Sequence, residues 1–158
     1  MSVDIAADPP ELDPTPGPAV TEAVAAAEAV LRRRYGAKIH LAEPEDLGGS
    51  KLSTVVRVRV AATPFALPRT LVVKRYVEPG RSESFVREAV SYQLFTALSA
   101  DERMCPELYA HDAAAGVIVI EDLGRAPTLA DKLLGDDARG AERALLSWAR
   151  SLGRMHAT

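Results

Sequence analysis

The sequence predicts an α+β fold: an antiparallel sheet of five strands with one helix inserted after the third, followed by helices only. Three observations carry that expectation. Val56, Val58 and Val60 alternate with Arg57 and Arg59, the mark of a strand with one buried and one wet face. Phe85, Ala89, Tyr92 and Phe95 form a helical stripe that interrupts the series of strands. After Gly124 only helical patterns remain.

Taken in order, residues 1–19 hold five of the eleven prolines together with Asp4, Asp8, Glu11 and Asp13. Such a segment buries too little apolar surface to offset its ordering entropy, so a disordered acidic tail is expected. From Thr21 to Tyr35 the alanine-rich pattern is helical. Val20, Val24, Ala27, Val30 and Leu31 share one face, and Arg32, Arg33 and Arg34 suit the negative end of the helix dipole. Gly36 is a stop signal. Ile39 to Leu47 reads as a weak strand interrupted by Pro44, Gly48-Gly49-Ser50-Lys51 as a turn, and Ser53 to Ala61 as a strong strand. A loop with Pro64 and Pro68 precedes a third strand, Thr70 to Tyr76. Pro79-Gly80 breaks the chain, and Ser82 can cap a helix reaching Leu98. Glu107 to Asp112 and Val117 to Asp122 are two more short strands. A short helix near Thr128 to Leu134 and a longer one from Ala138 to Ala157 complete the chain.

Composition narrows the function classes. With 158 residues, 47% hydrophobic and 26% charged, the chain can build about one soluble domain. A net charge of −3 supplies no global positive field for nucleic acid or an anionic membrane. No apolar run approaches the ~20 residues that span a bilayer, and the acidic, proline-rich start is unlike a signal peptide. The single cysteine, Cys105, allows no intrachain disulfide, and with His40, His111 and His156 scattered along the chain a structural zinc site is not expected. The expected setting is cytoplasmic, with neither nucleic acid nor membrane as partner.

Three features point to chemistry. Lys74 ends the apolar strand Leu71-Val72-Val73-Lys74. A point charge on a long stem at the end of a rigid strand has the form to hold phosphates, and Val72, on the same face by period-2 alternation, could cover an adenine ring. A strand-end lysine snorkelling into water gives the same pattern. Glu88 lies close to the helical stripe, where a carboxylate is costly unless paired or facing a cleft. Lys74 is its natural partner; a boundary position, or pairing with Arg87 or Ser91, is the alternative. Glu83 and Arg87 read as a solvated helix pair. The glycines of Gly48-Gly49-Ser50-Lys51 let a backbone bring N–H groups to phosphate oxygens, or simply turn a hairpin.

A glycine turn, a strand-borne lysine and a helix-borne glutamate occur in the order used by protein-kinase-type phosphotransferases. From Ala37 onward the chain resembles the aminoglycoside phosphotransferase family, which shares the protein-kinase fold. The resemblance rests on Leu47-Gly48-Gly49-Ser50, Leu71-Val72-Val73-Lys74, Phe85-Val86-Arg87-Glu88, Val119-Ile120-Glu121-Asp122-Leu123-Gly124 and Leu152-Gly153-Arg154-Met155-His156-Ala157. It implies a kinase-like N-lobe at residues 20–123 and, at 124–158, the exit from a hinge and the first helices of a C-lobe. By the same resemblance Lys74 binds the α/β phosphates of ATP and Glu88 holds Lys74 in place. Gly48, Gly49 and Ser50 lie over the phosphates, and Glu121-Asp122-Leu123 is the hinge whose backbone meets the adenine. The side chains of Glu121 and Asp122 read equally as ordinary acids ending a strand. His156 reads as structural.

The family's catalytic aspartate sits in a His-Gly-Asp loop after the first long helix of the C-lobe, followed by an asparagine and a metal-binding aspartate. None of these is present, and Asp122, Asp136 and Asp137 are misplaced to substitute. No catalytic residue and no magnesium ligand is therefore expected in this chain, which reads as a truncated or partial form. As it stands it would bind nucleotide weakly and turn nothing over, and its last helices would expose apolar faces able to self-associate. The phosphate acceptor, a small-molecule hydroxyl, stays open among aminoglycosides, other antibiotics, sugars and amino alcohols. Two other readings stand beside it: a non-enzymatic, degenerate kinase lobe acting as a binding or regulatory module, and an unrelated α+β domain in which Lys74 and Glu88 point apart.

Overall fold

A computed structural model describes residues 16–63, 67–78, 83–98 and 103–157. The Pro64 loop, the Pro79-Gly80 break, the Ser82 cap and residues 1–15 of the expected tail lie outside the described residues.

The fold is α+β: an open, five-stranded antiparallel sheet with four helices among the described residues. Helix α1 (Pro18–Tyr35) begins inside the segment expected to be tail. The reason is local, because proline at the first helical position has a fitting φ and needs no N–H partner there. The helix ends as expected at Gly36, which adopts the left-handed conformation (φ 70°) and returns its N–H to the Arg32 carbonyl. Val20, Ala23, Ala27, Val30 and Leu31 are its buried face.

Strands β1 (His40–Ser50), β2 (Ser53–Ala62), β3 (Thr70–Tyr76), β4 (Leu108–Asp112) and β5 (Val117–Glu121) pair in the order β1-β2-β3-β5-β4. Helix α2 (Glu83–Ala97) is the inserted helix. Side chains alternate across the sheet, so it has two distinct cores. Leu71 and Val73 of β3 join Val56, Val58, Val117 and Val119 against α1. Val72 and Tyr76 join Ile118 and Ile120 against Phe85, Ala89 and Tyr92 of α2.

The Gly48–Lys51 turn is corrected. β1 continues through Gly48, Gly49 and Ser50, with Gly49 opposite Thr54 and Ser50 opposite Ser53. The chain reverses instead at Lys51-Leu52. The glycines serve a break in register between Asp46 and Gly49, where φ is 86° at Gly48 and 147° at Gly49. Asp46 steadies the bulge by accepting the Gly48 N–H at 2.8 Å. A second irregularity, between Ala42 and Glu45, accommodates Pro44 on this edge strand.

Helices α3 (Leu129–Leu134) and α4 (Ala138–Ala157) follow the sheet. Thr128 and Asp131 form a reciprocal capping box at the start of α3. The two helices pack on each other, and neither has a buried residue. Leu134 of α3 is 88% exposed, and Leu145, Leu146 and Trp148 leave an apolar stripe of α4 in water. No described helix is long and apolar enough to cross a membrane.

Two outcomes follow from this packing. A Cβ at Gly49 would run into the Ser53 carbonyl at a φ that side chains avoid, so Gly49→Ala should cost about 2 kcal/mol in denaturant unfolding. The apolar stripe of α4 should enhance the fluorescence of an apolar dye, and Leu145→Gln with Trp148→Gln should remove most of that signal while circular dichroism stays unchanged.

Candidate functional site

The face of the sheet toward α2 brings Lys74, Tyr76 and Glu88 together. Period-2 alternation along β3 presents Val72, Lys74 and Tyr76 together, and Phe85 and Ala89 seat α2 so that Glu88 faces them. Lys74 Nζ donates to Glu88 Oε2 at 2.7 Å, and the Tyr76 hydroxyl donates to the same oxygen. The lysine and glutamate side chains are 27% and 25% exposed. The ammonium also lies 5.2 Å from the centre of the Tyr76 ring, which meets Phe85 edge-on at 5.5 Å. Burial, then the hydrogen bond to Glu88, pushes the Tyr76 hydroxyl far above its ordinary pKa, so it remains a donor. Burial and then the Glu88 charge also raise Tyr92. The alternative partners for Glu88 are engaged elsewhere: Arg87 with Glu83, and the Ser91 hydroxyl with the Arg87 carbonyl.

The glycine segment sits differently. Gly48, Gly49 and Ser50 line a hollow of about 280 Å³ beside Ala19 of α1, the helix on the opposite face from Lys74. The Ser50 hydroxyl is turned into the hairpin, accepting the Leu52 N–H at 3.1 Å. The base of the hairpin adjoins the Lys74 strand through the pairing of Ser53 with Tyr76.

At the far end of β5 the three acid-rich residues separate. Glu121 is tied to Glu107: its N–H donates to the Glu107 carbonyl at 2.8 Å, and its carboxylate accepts the Glu107 N–H at 3.1 Å. The Asp122 carboxylate receives Arg57 Nε at 2.8 Å, Arg57 Nη2 at 3.1 Å and the Gly124 N–H at 2.9 Å. Leu123 is 69% exposed and makes no hydrogen bond to any described residue. Arg57 also reaches the Gly124 carbonyl and Glu45, and Glu45 takes Arg125 at 2.6 Å. These groups line a cavity of about 580 Å³. Burial by itself would raise the Asp122 carboxyl. The hydrogen bonds from Arg57, the Gly124 N–H and Thr70 outweigh it and hold the group below the usual aspartate range.

Sequence reasoning missed Tyr76 and Arg57. Tyr76 had a signal, since it lies two residues beyond Lys74 on one strand and so shares its face. Arg57 was placed on the wet face; its position opposite Val72 sets it on the Lys74 side, beside an aspartate 65 positions away. No group of three ligating side chains that could hold a metal ion occurs among the described residues. No protein-family model and no curated protein matches the chain.

The Arg57–Asp122 pair gives a test with a defined sign. Asp122 has a lowered folded pKa, so its contribution is complete above the unfolded value of about 3.9 and is lost as pH falls through the folded value. Asp122→Asn should flatten the acid limb of a stability–pH curve measured by urea unfolding. Arg57→Ala strands a carboxylate that is 5% exposed, and should cost about 3 kcal/mol at pH 7.

Proposed function

We propose that this chain is the nucleotide-binding part of a kinase-like phosphotransferase, one that passes the γ-phosphate of ATP to a hydroxyl of a small molecule. The observation that carries the reading is the 2.7 Å pair between Lys74 on β3 and Glu88 on α2, on the face that also presents Val72. In this reading Lys74 meets the α/β phosphates, and Glu88 with Tyr76 fixes where its ammonium points. Val72 covers one side of the adenine, and the backbone of Glu121, Asp122 and Leu123 borders its edge. Support for that edge comes from Leu123, whose backbone has no partner among the described residues. The Gly48-Gly49-Ser50 bulge gives the β1–β2 hairpin a backbone able to bend over phosphates.

Phosphoryl transfer also uses divalent cations held by carboxylates, which neutralise charge on the phosphates. The described residues do not fit such a site, so the reading assigns nucleotide binding to this chain and no step to a metal. A cytoplasmic setting, where ATP is abundant and Cys105 stays reduced, suits it.

Titration calorimetry with ATP tests the reading. The purified protein should bind ATP, and Lys74→Ala should weaken binding by roughly tenfold or more, a loss of at least about 1.4 kcal/mol. Glu88→Gln should weaken it several-fold, with the fold unchanged by circular dichroism. Absence of binding at millimolar ATP would overturn the nucleotide reading in favour of a binding module.

A further inference from the structure

A second cavity, of about 610 Å³, lies at the β4 edge of the sheet between the C-terminal ends of α1 and α2. Its floor is apolar, formed by Val30 of α1, Ala97 of α2 and Leu108 and Ala110 of β4. One wall carries two guanidinium groups, Arg33 and Arg34, from the last turn of α1. The facing wall carries Gln93 and Thr96 of α2, with His111 between.

The charge balance at this cavity is uneven. The acids nearby are already paired, Asp112 with Arg33 and Glu107 with Arg103 at 3.1 Å. Arg34 has no ion-pair or hydrogen-bond partner among the described residues. Gln93 Nε2 lies 2.7 Å from His111 Nε2. His111 Nδ1 is buried and has no hydrogen-bond partner among the described residues. The cavity thus combines an apolar floor with a cation, Arg34, that has no ion-pair or hydrogen-bond partner among the described residues.

The shape selects a compact ligand over an extended peptide. A strand added along β4 would need the outward backbone groups of that edge. The Leu108 N–H is already taken by Thr96 Oγ1 at 2.9 Å, and the Gln93–His111 contact joins α2 to the same strand. The first tie occupies a backbone donor that an added strand would use, and the second holds α2 beside the edge. A small molecule with an apolar body and one carboxylate fits what remains: the body on the floor, the carboxylate on Arg34.

We propose that this cavity is a binding site for a small amphipathic carboxylate, distinct from the Lys74–Glu88 face and independent of the nucleotide reading. The test is an amide-resolved NMR titration of the whole protein with three probes: 2-naphthoate, the matching cation 2-naphthylmethylamine, and inorganic phosphate. Saturable shifts at Gln93, Ala110 and His111 with 2-naphthoate alone are expected. Arg34→Ala, an exposed substitution in a helix end, should weaken that binding at least tenfold and leave the rest of the spectrum unchanged. Equal shifts from the amine would show apolar adhesion only. Shifts confined to α4, or an affinity indifferent to Arg34→Ala, would likewise overturn the proposal, as would a response to phosphate equal to that of the carboxylate.

Discussion

Strand β3 carries the constraint on which the molecule depends. Its residues alternate between two faces: Leu71 and Val73 enter the α1 core and Arg75 meets Glu22 of α1 at 2.8 Å, while Val72, Lys74 and Tyr76 face α2. A slip of one residue would drive Lys74 into the α1 core and turn Leu71 and Val73 toward the polar side. Burying an unpaired ammonium is far costlier than losing a few apolar contacts, so the register is strongly specified. Both neighbours reinforce it, since Val56 of β2 and Val119 of β5 stand opposite Val73 on the α1 side. The hydrophobic packing of one face therefore fixes the positions of the charges on the other.

The two ion pairs on the α2 side have different physical roles. Lys74 and Glu88 are each about a quarter exposed, and a pair so open to water adds only about 0–1 kcal/mol to stability. Its effect is orientational: Tyr76 and the lysine share one carboxylate oxygen, and the ring beneath the ammonium limits where it can move. Arg57 and Asp122 are 14% and 5% exposed and joined by two hydrogen bonds. That pair clamps β2 to the chain leaving β5, and Arg57 extends the clamp to the Gly124 carbonyl. One pair aims a side chain, and the other fixes the edge of the face on which it is aimed.

Features set by local period were legible in the sequence. The limits of β3, the inward residues of β2, and Phe85 and Ala89 of α2 follow from alternation or helical spacing alone. So does the shared face of Val72 and Lys74. The glycine segment misled because positive φ serves a bulge as readily as a turn, and the actual turn, Lys51-Leu52, carries none of the residues that hairpin turns favour. Arg57 and Asp122 meet only after three strands have paired, so no window of sequence contains both. Pro18 was hidden among neighbouring prolines, although its role as a first helical residue is distinct from theirs. The resemblance implies that Gly48, Gly49 and Ser50 share a site with Lys74; the hollow they line borders Ala19 of α1, on the other face of the sheet.

Helix α2 links the two candidate sites. Of its fifteen residues only Phe85 and Ala89 are fully buried, while Val86, Val90 and Leu94 stand in water. Apolar contact alone is a weak anchor for a helix of this length. The remaining attachment is polar and lies along one side: Glu88 to Lys74 and Tyr76, Gln93 to His111, and Thr96 to the Leu108 N–H. Glu88 and Gln93 are separated by about 1.4 turns of this helix. One helix thus holds Glu88 against Lys74 and Tyr76, and Gln93 and Thr96 against β4. Its seat on the sheet therefore rests on polar contacts as much as on Phe85 and Ala89.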